Sequence, residues 1–152
     1  MRVQISRRAL SIFSILVLFV AGTCRGAAAR PAPGVGFRIP FDFVIAGKTL
    51  PAGEYVVERS TLFSATGLSI RSVDQDAGVY FLTAAVESSE RPEHSKLVFN
   101  RYEGRYFLSE FWTAGQASGR KLIKSGEERA LAREAARGAA QAVRVAVITS
   151  QK

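Results

Sequence analysis

A chain of 152 residues with 21 Lys and Arg against 13 Asp and Glu has a formal charge of +8. That length holds one domain with one core and is too short for two. With one Cys and one His in the whole chain it has neither an intrachain disulfide nor the ligands of a nitrogen–sulfur zinc cage.

Arg2, Arg7 and Arg8 precede a run from Leu10 to Ala21 that contains no charge, and the small residues Ala27, Ala28 and Ala29 follow. This is the layout of a cleaved export signal over residues 1–29. At about 1.5 Å per residue the run reaches roughly 18 Å, short of a hydrocarbon core about 30 Å thick, so no lasting transmembrane segment is expected. Cleavage is expected after Ala29, with Ala28 as the neighbouring choice. Thr23-Cys24 sits where a lipoprotein box would, but lacks the small residue before the Cys that lipidation prefers. Ser6-Arg7-Arg8 has the look of a twin-arginine signal, yet the greasy run after it fits the general secretion route better.

Removing the leader changes the balance of charge. Arg2, Arg7, Arg8 and Arg25 take four of the 21 basic residues and none of the 13 acidic ones, so 17 remain against 13, or +4. The surplus is gathered in the C-terminal tail. The only thiol leaves with the leader, so the exported part, residues 30–152, relies on its hydrophobic core. With no N-x-Ser/Thr site either, the compartment expected is a bacterial periplasm or the extracellular space.

Along that body, residues 30–36 hold two Pro and two Gly and read as a flexible entry. Phe37, Ile39, Phe41, Phe43 and Ile45 alternate with other residues at the period of a strand, in which Pro40 marks an edge or a local break. Residues 46–53 read as a connection with turn chemistry at both ends, and 54–59 as a second strand. Strands over 68–73 and 79–86 flank the polar loop 74–78. After the polar stretch 87–95, the runs 96–102 and 105–112 surround Glu103-Gly104, the pattern of a two-residue hairpin. Residues 113–119 read as a loop. Ser125 and Glu128 form a capping box that opens a helix over 125–142, rich in Ala, Arg and Glu. The β-branched run 143–149 is a last strand that closes or extends the sheet. The fold expected is mainly β: one antiparallel sandwich or small barrel of six to seven strands with one C-terminal α-helix.

Two stretches of the chain carry resemblances to known groups. Ile39-Pro40-Phe41-Asp42-Phe43, Leu50-Pro51-Ala52-Gly53-Glu54-Tyr55, and Leu97-Val98-Phe99-Asn100-Arg101-Tyr102 with Arg105-Tyr106-Phe107-Leu108 resemble a group of small exported proteins of Acidobacteria-type soil bacteria. No function attaches to that group, so no catalytic or binding residue is carried over. The Leu-Pro-Ala-Gly-x-Tyr piece is also similar to the strand entry of small prealbumin-like β-sandwich modules.

The aromatic residues, Phe63 among them, fall mostly in strands, where packing a small core accounts for most of them; a barrel interior or open sheet face lined by them would receive an apolar ligand. His94 lies in the polar loop with Glu90 and Glu93, which is too few ligand types for zinc and ordinary for a solvated loop. Ser88 or Ser95 with His94 and Asp74 or Asp76 lacks any nucleophile elbow, and the glycines form no phosphate cradle. Counting back from the Glu103-Gly104 turn sets Arg101 opposite Tyr106 and Glu110 opposite Leu97, on one face with Phe99 and Leu108. Two opposite charges there suit either a paired group in a cleft or a partly solvated face. Arg129, Arg133 and Arg137 recur every four residues and form a basic helix stripe. Such a stripe suits anionic lipid, lipopolysaccharide or acidic wall polymer, or is simply a solvated face. Nucleic acid is not expected as a partner. The reading is a non-enzymatic cell-envelope binding or structural module without catalytic residues, metal or cofactor. Its alternative is a carrier of an apolar small molecule in a barrel or sheet cleft.

Overall fold

Pro40 has no N–H to give a ladder, and it divides the first alternating run into two strands, β1 (Val35–Ile39) and β2 (Phe43–Ile45). These and all later elements come from a computed structural model that describes residues 34–60, 66–138 and 142–149. The expected leader with Cys24, residues 30–33 of the expected entry, and Phe63 lie outside the described residues. The remainder of that entry is already ordered, since Val35 opens β1. The described residues belong to one compact unit, Ala32–Lys152.

β1 pairs antiparallel with β4 (Gly53–Arg59), while β2 turns back into the short β3 (Lys48–Leu50). Ala46 and Gly47 make that turn at φ of 49° and 79°, the positive values that match the twist of a two-residue hairpin. The chain then runs through β5 (Gly67–Ser72) into β6 (Gly78–Glu87), which serves two partners. Gly78–Leu82 of β6 pairs with β5, and Thr83–Glu87 pairs with β9 (Ser118–Leu122). β9 continues to β8 (Arg105–Trp112), which forms the expected hairpin with β7 (Lys96–Tyr102). β2 lies parallel to the start of β8, and β10 (Val143–Ile148) covers the other edge of β7.

The sheet therefore has ten strands rather than six to seven. The additional ones are the second half of the divided first run, β3 inside the expected connection, and β9 inside and beyond the expected loop. The sheet is open and not a closed barrel, because β1 and β10 are not paired along their length: among the described residues one isolated bridge, Phe37–Thr149, joins β1 to the residue after β10. It curls enough for strands far apart in its order to share one core. Phe37 of β1 meets Phe111 of β8 edge-on at 6.1 Å, and Phe43 meets Tyr55 at 5.2 Å and Phe99 at 5.5 Å. Burying each such ring contributes about 1.5–3 kcal/mol. Tyr55 keeps its polar end satisfied by donating to the Pro51 carbonyl at 2.7 Å.

The helix α1 spans Gly126–Ala136, shorter than the expected 125–142. Its start follows the capping pattern, with the Ser125 hydroxyl accepting from the Glu128 N–H at 3.1 Å. Gly138, at φ of 87°, ends it by donating to the Ala135 carbonyl, and residues 139–141 lie outside the described residues. Leu131, Ala132 and Ala135 pack on Val44, Tyr102 and Phe107 of the sheet's outer face. Asn100 donates to Glu128 at 2.9 Å, and Arg105 pairs with Glu127 at 2.6 Å. That hydrogen bond holds the Glu127 carboxyl below its ordinary 4.5.

Candidate functional site

Alternation along β4 and β5 sets Val57 opposite Ile70 and Arg59 opposite Leu68, all on the inner face. On the other side of the fold Phe111 of β8 stands opposite Arg120 of β9. Beyond the core these two sides part and leave a cleft of about 900 Å³. Val35, Val57, Leu68 and Phe111 wall it, Thr113, Gln116 and Ser118 line its β8–β9 side, and Arg59 and Arg120 bring two guanidinium groups. Glu58, one residue from Arg59, alternates to the outer face, where its carboxylate lies 3.9 Å from Arg71. Among the described residues neither Arg59 nor Arg120 joins an ion pair. The arrangement is an apolar slot lined by two arginines and one glutamate, Glu58, whose carboxylate lies 3.9 Å from Arg71.

A second hollow, about 350 Å³, lies on the outer face and includes Lys96, Val98, Glu110, Trp112 and Arg144, with Glu90 and Arg91 from the polar loop. Glu110 is its buried charged member, beside the buried Val98 and Trp112. One of its carboxylate oxygens accepts from the Trp112 indole N–H at 2.9 Å and from Arg144 at 2.8 Å. Both partners satisfy the charge that burial would otherwise penalise.

The position of Glu110 corrects the expectation that it faces Leu97 on the side of Arg101. Val98 opposes Glu110 and Phe99 opposes Leu108, so Ser109 is an extra residue on β8, a bulge. One extra residue reverses every later side chain. It lets Leu108 and Phe111 both enter the core, and it turns Glu110 and Trp112 outward to meet Arg144. Arg101 and Glu110 therefore stand on opposite faces and do not pair.

Arg101 and Tyr106 do come together. The Arg101 guanidinium lies 5.5 Å from the Tyr106 ring centre, and Phe41 stacks on the same ring at 3.8 Å, which groups a cation and two rings at the hairpin end. His94 is exposed in the 88–95 loop. In that loop the Ser95 hydroxyl accepts from the Ala114 N–H at 2.9 Å and that of Ser88 from the Glu90 N–H at 3.2 Å. No group of three or more His, Cys, Asp or Glu that could hold a metal occurs among the described residues. Arg129, Arg133 and Arg137 are exposed, on the helix side away from Leu131, Ala132 and Ala135. No helix among the described residues is long and apolar enough to cross a membrane.

Sequence reasoning missed the cleft residues Arg59 and Arg120. Arg59 was within reach, because it continues the alternation Tyr55, Val57, Arg59 onto the inner face. Arg120 was not, since Ser118-Gly119-Arg120-Lys121-Leu122 has one apolar residue and no strand rhythm. No family model, no curated protein and no solved structure matches this chain.

Proposed function

We propose that this domain is an exported, non-enzymatic binding module of the cell envelope that takes an apolar small molecule into the cleft between β1, β4 and β5 on one side and β8 and β9 on the other. The cleft carries the reading: its volume of about 900 Å³ falls in the range of small-molecule sites, and its walls are aliphatic and aromatic. The buried carboxylates favour structural over chemical work. Glu110 is engaged by Trp112 and Arg144, and Glu128 by Asn100. Native mass spectrometry of protein purified from its own host tests the reading. A retained small molecule is expected. A consistently empty protein, or a robust hydrolase activity lost on one Ser or carboxylate substitution, overturns it.

The exposed stripe Arg129, Arg133 and Arg137 favours a second, compatible contact, with an anionic envelope component such as lipopolysaccharide or an acidic wall polymer. Replacing all three by Gln is expected to abolish co-sedimentation with lipopolysaccharide while leaving the thermal transition in place.

A further inference from the structure

We infer that the cleft selects a single-chain amphiphile with an anionic head, a long-chain carboxylate, whose head is held by Arg59 and Arg120 while its chain lies along Val35, Val57, Leu68 and Phe111. The inference rests on the reading of the cleft as a binding site and adds the ligand's chemistry. A purely apolar guest has no use for two guanidinium groups at the cleft: Arg59 is exposed and Arg120 half-buried, and a guest that covered them without bringing a negative charge would strip their water for nothing in return. Each stands at an inward register position, Arg59 opposite Leu68 and Arg120 opposite Phe111. They belong to strands on different sides of the cleft, β4 and β9, and a carboxylate, which can accept from two donors, is the head group that answers both. The one acidic residue along the cleft, Glu58, forms its ion pair with Arg71 at 3.9 Å and none with Arg59 or Arg120. Thr113, Gln116 and Ser118 add neutral hydrogen-bonding groups beside Arg120.

Isothermal titration of the full chain with dodecanoate and with dodecanol separates the two levels of the claim. The acid is expected to bind about tenfold tighter than the alcohol, and the preference is expected to shrink with added salt. Arg59→Gln with Arg120→Gln is expected to lose the preference and keep the alcohol. Arg59→Lys with Arg120→Lys, which keeps the charge, is expected to retain most of it and guards against a folding defect in the Gln pair. Equal affinity for acid and alcohol overturns the head-group assignment and leaves the cleft reading standing. Binding of neither overturns both. Binding to phosphatidylglycerol vesicles with none to dodecanoate overturns the single-chain assignment in favour of a membrane surface.

Discussion

Glu110 shows how one residue's chemistry is settled by its neighbours. Its carboxylate is among the few buried charges described, and the Trp112 N–H and the Arg144 guanidinium both point at one oxygen. Removing the acceptor strands a buried indole N–H. Glu110→Ala is therefore expected to cost about 2 kcal/mol, read by urea unfolding. Arg144→Ala is expected to cost about 1 kcal/mol, because the Arg144 side chain is 63% exposed and water replaces part of what it gives. Tyr55 is tuned instead by burial, with the Asp42 carboxylate adding to the effect, and both hold its phenol above the ordinary 10.0. Folding thus favours the protonated phenol. Its contribution is whole below pH 10.0 and is lost as pH climbs from there through the raised value. Thermal melts of the wild-type chain are expected to fall more steeply above that pH than those of Tyr55→Phe, with the two falling in parallel if the phenol plays no such part.

At the scale of elements, irregularities do as much as regular pairing. The bulge at Ser109 reconciles two apolar residues three apart, Leu108 and Phe111, with one inner face. Deleting Ser109 would remove the bulge and leave Leu108, Glu110 and Phe111 in plain alternation, with Glu110 still opposite Val98 and Phe111 still opposite Leu97, so the shortened chain is expected to fold and keep its far-ultraviolet sheet signal. β9 depends on a different device. A Cβ on Gly119 would stand 2.6 Å from the Trp112 ring, so Gly119→Ala is expected to cost about 1–3 kcal/mol, measured by thermal or urea unfolding. These two features also explain what the sequence did and did not disclose. The hairpin of β7 and β8 was legible from its aromatic runs and the Glu103-Gly104 turn, and the helix start from Ser125 and Glu128. The bulge has no local mark, and β9 is a strand only because β6 and β8 offer it edges. The face of Glu110 and the presence of Arg120 in the cleft followed from those two hidden features, so the candidate site was far less legible than the fold.

Across the whole molecule, one core serves a ten-stranded open sheet, and the cleft lies where its inner faces part. Phe99 is fully buried against Phe41 and Phe43, and Phe99→Ala is expected to cost about 3–5 kcal/mol. Because the inner residues form a single cluster, loss of sheet signal and of Trp112 fluorescence are expected to coincide in one unfolding transition. The same geometry explains why two arginines on strands far apart in the sheet order line one slot. The measurement that tests the account most directly is chemical-shift mapping of the full chain by NMR as dodecanoate is added. The account predicts shifts in the methyl groups of Val35, Val57 and Leu68 and in the Phe111 ring, with the helix unaffected. Shifts confined to the Arg129–Arg137 stripe or to the Phe41–Tyr106 stack would contradict it.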